Sequence, residues 1–251
     1  MTVLFQPRSI EDIAEIMERR AQRSIAHMTR LAWGKTARHC PICDYRGMFS
    51  PVKHKPEIWC PGCDSRPRHR LLKLWMDRDM HLRPGARVIH FAAEPWVRAE
   101  LVSRGAHYRT ADLNDKFELQ LDITSLELPD ASVDMVMANH VLEHVDDARA
   151  FAEIYRVLAP AGQVVITVPM IEGFDATYED PGLTTPEARA LHYGDADHLR
   201  WYGRDIRSRM QAPGFAVSEF TALEPEASIH ALHRGEKVFV GQKPSEGDRD
   251  G

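Results

Sequence analysis

Cysteine is scarce in this chain, with four residues in 251, all of them in two Cys-x-x-Cys pairs. That argues against a fold stapled by disulfides, and at this length the chain can bury a full core without them. Long apolar runs are also missing. No stretch approaches the ~20 residues needed to cross a bilayer. The opening MTVLFQPRSIEDIAEIMERR lacks the basic segment and apolar core of a secretory leader. The expectation is a cytoplasmic protein with no membrane association. Nor is there an overall excess of positive charge, since the net is −5. The charge is uneven, however: residues 1–83 hold 16 Lys/Arg against 9 Asp/Glu, and residues 84–251 hold 16 against 28. A basic N-terminal third on an acidic body suits an anionic partner such as RNA, or simply the solvated faces of a helix and a metal module.

The cysteines themselves are informative. Cys40-Pro-Ile-Cys43 and Cys60-Pro-Gly-Cys63 are separated by sixteen residues, the spacing of a zinc ribbon. Each knuckle puts two thiolates on one side of a metal, and Pro and Gly suit the tight turns that aim backbone amides at sulfur. A site with four thiolates has no open position, so its Zn2+ is expected to be structural. The intervening DYRGMFSPVKHKPEIW reads as a short hairpin, and a helix follows to about Met80. Arg66, Arg68, His69 and Arg70 are candidates for anion contact or for covering the ribbon. Upstream, Ser9 opens a capping box, and Ile10, Ile13, Met17, Ala21, Ile25 and Met28 form an apolar stripe on a helix to about Leu31. Such a stripe is usually core; here it could also face a second subunit.

Residues 122–169 carry the densest pattern. An apolar run at 133–138 ends at Asn139-His140, and helical spacing follows from Asp146 to Leu158. Pro160-Ala161-Gly162 stops that helix, and a second β-branched run covers 164–168. Strand, helix, stop and strand make a βαβ unit with parallel, buried strands. Ligands in such sheets lie beyond the carboxyl ends of the strands, where Asn139, His140, Glu143, Pro169 and Met170 fall.

The order D-I-T-S-L (122–126), S-V-D-M-V (132–136), N-H-V-L-E-H (139–144) and R-V-L-A-P-A-G (156–162) resembles the class I S-adenosylmethionine-dependent methyltransferases, specifically the type 11 group. The likeness runs from about Ala86 to Met170, and the preceding ribbon with R-x-R-H-R-L-L resembles the front end of some bacterial members. The resemblance implies a Rossmann-like seven-stranded α/β sheet. In front of it would stand an N-terminal helix (1–35) and a zinc ribbon with linking helix (36–83). The catalytic domain would span 84–243, with a substrate lid at 170–202 and a disordered polar tail at 244–251. It also implies S-adenosyl-L-methionine as cofactor. Asp112, at the end of the second strand, would bind the ribose hydroxyls, with Leu113 beside the ring. Asp122 and the Ile123 amide would bind adenine.

The first strand (87–91) ends in His90-Phe91-Ala92-Ala93-Glu94-Pro95, where the family usually shows D/E-x-G-x-G. Phe91 and Ala92 would then line the methionine end of the cofactor, and Glu94 could receive its ammonium group or simply favour a helix start. Ala92 lets backbone approach the ligand as long as its φ need not be positive. Asn139 and His140 would lie near the sulfonium. His140, Glu143 and His144 are candidate bases, although the resemblance places Glu143 and His144 in the first turn of the following helix. Within the lid, which lacks clear periodicity, Tyr193, His198, Arg200 and Tyr202 are the candidate substrate contacts, although the His198-x-Arg200 pair could equally tie the loop to the sheet edge. The implied activity is methylation of an O, N or C atom of a small molecule such as a sugar or secondary metabolite. RNA methylation through the basic ribbon and a non-catalytic scaffold are the alternatives, and a homodimer fits either.

Overall fold

The computed structural model describes residues 10–31, 36–52, 55–114 and 116–245. Ser9, the expected helix cap, and the end of the expected tail (246–251) lie outside them. The chain forms two compact units. One is built from the chain up to Met76 together with Ala222–Arg234, the other from Asp77–Thr221 and the chain from Gly235 onward.

In the first unit, α1 (Ile10–Leu31) is followed by β1 (Arg38–His39) and β2 (Arg46–Gly47), an antiparallel pair around the first knuckle. A second antiparallel pair, β3 (Ser50–Val52) and β4 (Lys55–Trp59), is the expected hairpin. Helix α2 (Pro67–Arg78) begins on a proline, whose missing N–H costs nothing in a first turn. Within the apolar stripe of α1, Met17 and Ile25 are 65% and 59% exposed and Ala21 is exposed too, so these three positions are not core. Arg70 is 0% exposed, and its guanidinium lies 4.6 Å over the Phe49 ring. It donates to the carbonyls of Ser65, Ile58, His230 and Ala231. Of the expected anion contacts, Arg70 is therefore a strut joining the ribbon to Ala222–Arg234.

The second unit is organised by a seven-stranded sheet. Its strands in chain order are β5 (Arg87–Phe91), β6 (His107–Asp112), β7 (Leu119–Gln120), β8 (Val133–Asn139), β9 (Leu158–Thr167), then β12 (Ala216–Thr221) and β13 (Lys237–Gln242). Their spatial order is β12-β13-β9-β8-β5-β6-β7. Neighbouring strands from β9 through β7 are parallel, while β13 runs antiparallel to both β9 and β12. Strand β5 is the starting strand in the middle, with β6 on one side and β8 on the other. The chain therefore reverses its direction of winding there, and such a switch point is where open sheets bind ligands. Registers Phe91↔Ala111, Phe91↔Ala138 and Asn139↔Thr167 bring the strand exits level.

Helix α3 (Pro95–Ser103) follows β5, and α4 (Asp147–Val157) follows β8. Asp146 caps α4 by accepting from the Arg149 amide, and Ala150, Phe151, Ile154 and Val157 bury one face. The 164–168 run is longer than expected, as β9 already pairs at Leu158. Pro160-Ala161-Gly162 is an irregularity inside the strand, with Ala161 at φ 60°, rather than a turn before it.

The 170–202 segment is more ordered than its sequence suggested. It contains β10 (Tyr178–Glu179) paired with β11 (Arg200–Trp201), and α5 (Pro186–Tyr193) between them. Thr185 caps α5 through the Ala188 amide, Pro186 opens it, and Gly194 closes it at φ 80°. Helix α6 (Ile206–Gln211) then leads to β12, and α7 (Glu226–Ile229) lies in the segment between β12 and β13.

Candidate functional site

The exits of β5, β6 and β8 assemble one edge of the sheet. At the β5 exit Phe91 is buried in the core, and Ala92 stands in the left-handed region at φ 49°. The condition set on Ala92 is not met: φ is positive, so the first-glycine position keeps a glycine conformation with a methyl group attached. Its amide donates to the Ala111 carbonyl. Glu94 is the N-cap residue of α3 but makes no side-chain cap bond. Its Oε2 lies 3.1 Å from Nε2 of the fully buried His90, whose Nδ1 is 2.9 Å from the Tyr108 hydroxyl. Burial raises the Tyr108 hydroxyl pKa, and the nearby Glu94 charge adds to it.

Asp112 ends β6, and its Oδ1 accepts from the amide and side chain of Asn114. Leu113 beside it is 61% exposed, unusual for leucine next to a core strand. Asp122 uses Oδ1 to hold a local turn, accepting from the Thr124 amide and hydroxyl at 2.8 and 2.7 Å. Ile123 is buried in the core, with its side chain away from solvent.

At the β8 exit Asn139 is 5% exposed. Its Oδ1 accepts from the Thr167 hydroxyl, and its Nδ2 is a buried donor with no partner among the described residues. His140 is left-handed at φ 55° and donates its amide to the Thr167 carbonyl. Glu143 and His144 lie in a separate 3-10 turn, Leu142–His144, rather than in α4. The reason is local: Asp146 caps α4, so the helix cannot begin earlier. His140 Nδ1 is 3.0 Å from Oε1 of the fully buried Glu143. The His144 Nδ1–H donates to the Asp197 carbonyl, and the His144 and His198 rings pack edge to face at 4.8 Å. Burial pushes the His198 pKa down, against the pull of the Glu143 charge.

Three of the four expected substrate contacts are turned inward. Tyr193 is 1% exposed, and its hydroxyl accepts from the Asp180 amide. Arg200 donates to the Leu142 and Val145 carbonyls and pairs with Glu179 at 2.8 Å. The Tyr202 hydroxyl donates to the Leu142 carbonyl and to Asp147 Oδ2. Arg200 and Tyr202 tie the 170–202 segment to the 3-10 turn, the Leu199 amide reinforces the tie by donating to the Glu143 carbonyl, and Tyr193 braces the segment internally. This clamp fixes His198 opposite Glu143. Asp147, whose side chain also accepts from Arg209, is the centre of the network, and sequence reasoning missed it because an Asp in a first helical turn reads as a surface residue.

The four cysteines form the other cluster. Their Sγ atoms lie within 4.8 Å of one another, with 3.6 Å between Cys40 and Cys63 and 3.5 Å between Cys43 and Cys60. A disulfide is about 2.05 Å, whereas Zn–S bonds of about 2.3 Å give tetrahedral edges near 3.8 Å. The knuckles repeat one backbone pattern. Cys40 donates to Tyr45 and Cys60 to Ser65, Asp44 donates back to Cys40 and Asp64 to Cys60, and both aspartates are left-handed. The donor set and spacing fit tetrahedral Zn2+.

A cavity of about 550 Å³ opens at the opposite, amino-terminal edge of the sheet, lined by Arg83, Asp134, Pro160 and Gly162 among others. It lies at the strand entries, away from the exits of β5, β6 and β8 and from the switch point, so it is not assigned to the site.

A family model described as a methyltransferase domain matches residues 96–166, the span from α3 through β9. Over that span the chain matches a methyltransferase domain, set on a Rossmann-like seven-stranded sheet. A solved methyltransferase from Mesorhizobium loti shares the fold at a TM-score of 0.52 and 15% identity, over 69% of this chain and 98% of that one. A Haemonchus contortus phosphoethanolamine N-methyltransferase, solved with phosphomonomethylethanolamine and S-adenosylhomocysteine, aligns at a TM-score of 0.50 and 13% identity. That alignment covers 74% of this chain and 54% of that one. At the sequence level an uncharacterized 37.1 kDa transposon protein of Streptomyces fradiae is 36% identical over 213 residues, 81% of this chain. The chain spans 59% of that relative's length. Among the described residues no helix is long and apolar enough to cross a membrane.

Proposed function

We propose that this chain transfers a methyl group from S-adenosylmethionine to a small-molecule acceptor at the exits of β5, β6 and β8. The observation that carries the reading is the grouping of Asp112, the buried Asn139 donor and His140 at one switch-point edge of a methyltransferase domain. Asp112 keeps Oδ2 clear of its local turn, and a carboxylate oxygen is suited to a ribose diol. The exposed Leu113 offers an apolar face for a base. The unpaired Asn139 Nδ2 supplies a donor where burying one without a ligand is costly. The bound cofactor supplies an electrophilic methyl on sulfur, and the protein's part is alignment and exclusion of water. His140 is the base: with Nδ1–H on Glu143, its Nε2 keeps the lone pair that takes the acceptor's proton. His198 is the remaining candidate for acceptor contact in the 170–202 segment. Zn2+ on Cys40, Cys43, Cys60 and Cys63 holds the ribbon.

The RNA alternative loses Arg70, whose donors are engaged inside the protein. Calorimetry with S-adenosylhomocysteine tests the reading. Wild type should bind, and Asp112→Asn should weaken binding roughly 10- to 100-fold, as expected for loss of charged hydrogen bonds. No heat from wild type at millimolar ligand would refute both the small-molecule and the RNA reading.

A further inference from the structure

We infer that Glu143, His144 and His198 form a binding site for a divalent first-row transition ion, separate from the four-cysteine cluster. One ligand atom from each of the three residues can be chosen so that all lie within 4.8 Å of one another. With metal–donor bonds of about 2.1 Å, bound donors sit up to about 4.2 Å apart. Small side-chain rotations therefore close the set.

The unoccupied bonding capacity of these groups points the same way. Glu143 is 0% exposed, and while its Oε1 holds His140, its Oε2 is buried with no partner among the described residues. His198 Nδ1 is likewise buried without a partner. A native interior seldom leaves an acceptor and a ring nitrogen unsatisfied so close together, and a cation satisfies both. His144 is already in the tautomer that binding needs. Its Nδ1–H is donated to the Asp197 carbonyl, leaving the Nε2 lone pair free, which is the usual outer support of a ligating histidine. His198 is held in place by the Leu199 and Arg200 contacts after it and by the Asp197 carbonyl bond to His144 before it.

Two imidazoles and one carboxylate select a borderline ion such as Zn2+, Fe2+ or Co2+ over Ca2+ or Mg2+. Three protein donors leave coordination positions open, unlike the closed thiolate set. The ligand class these positions take is an oxygen donor, a hydroxyl or carboxylate of the acceptor. This part rests on the methyl-transfer reading of the same edge.

The test uses the full chain as purified, with elemental analysis to establish one zinc per chain on the cysteines, followed by titration with Co2+. The expected result is a second equivalent whose visible spectrum is weak and lacks thiolate charge-transfer bands. His144→Ala and His198→Ala should each weaken that second site at least ~10-fold while zinc content and melting stay at wild-type values. His144 is exposed, so its variant should fold normally. Failure of wild type to take up a second ion, or uptake unaffected by both substitutions, overturns the inference. S-adenosylhomocysteine calorimetry run alongside separates the two proposals. Cofactor binding with no second ion refutes only the metal site, and a second ion without cofactor binding supports the metal site and refutes methyl transfer.

Discussion

Replacing Arg70 distinguishes a strut from an anion contact. The side chain is fully buried, and its five N–H groups reach four carbonyls: His230 at 2.7 Å, Ser65 at 2.5 Å, Ile58 at 3.2 Å and Ala231 at 2.7 Å. Arg70→Met roughly preserves the apolar volume against Phe49 and removes every donor. A net bond to a charged donor contributes about 1.5–3 kcal/mol, offset by the desolvation the guanidinium no longer suffers. For a buried charged group with this many partners the expected net loss is about 3–5 kcal/mol. Arg70→Lys should recover little of it, because an ammonium is a point charge that cannot fork to carbonyls on two segments.

The assay is hydrogen exchange by mass spectrometry on the intact chain, reading peptides that cover 55–66 and 222–234. A loss of 3 kcal/mol raises the opening equilibrium by about 100-fold, which places the effect well above the noise. Protection in β8 and β9 should not change, since those strands belong to the other unit. If Arg70→Met leaves both peptides protected as in wild type, yet abolishes RNA binding, the strut reasoning is wrong and the anion reading returns.

Other perturbations have directions set by the same structure. Ala92→Gly removes a methyl from a left-handed residue and should stabilise the sheet-containing unit by about 0.5–1 kcal/mol in urea titration; destabilisation would refute the strain assigned to it. Asp134 accepts from the Arg87 amide and from the Arg87 and Arg83 guanidinium groups, which hold its carboxyl down to about 2 from 3.8. Its contribution is therefore complete above pH 4 and lost as pH falls from there toward 2, so an acid-stability curve of Asp134→Asn should be flatter than wild type over that window. Cys60→Ser should abolish bound zinc by elemental analysis and increase exchange throughout 38–66. Retained stoichiometric zinc would refute the four-thiolate site.

Much of the sheet was legible because its strands are apolar, β-branched runs bounded by Gly or Pro; β5, β12 and β13 fall where the pattern put them. The Cys-x-x-Cys pairs announced their own cluster for a similar reason, since two-residue spacing is local chemistry. What the sequence hid was non-local. Arg70 finds two of its acceptors 160 and 161 residues away, in a segment whose composition looks like any loop between two strands. For His198 and Arg200 the sequence left substrate contact and a tie of the loop to the sheet edge open, because an H-x-R-x-Y string shows no sign of which carbonyls it will meet; Arg200 makes the tie. The caps of α5 were readable in Thr185-Pro186 and Gly194 but were outweighed by a search for apolar periodicity, which a short, half-exposed helix does not display.

The non-glycine turn after β5 is the main reason to entertain a scaffold that has lost its ligand, and its geometry argues the other way. Ala92 and His140 follow adjacent parallel strands, and both are left-handed at φ 49° and 55°. A side chain in that region costs about 1 kcal/mol or more relative to the right-handed basin, so the edge carries two such penalties side by side. Relaxing either residue would gain stability, yet doing so would swing the following backbone and move Glu94 or Glu143 from its histidine partner. The arrangement thus keeps strain, an unpaired Asn139 donor and an unpaired Glu143 oxygen within one strand-exit edge. A fold kept only for its packing has no reason to hold all of these together, whereas a site awaiting ligands at that edge does.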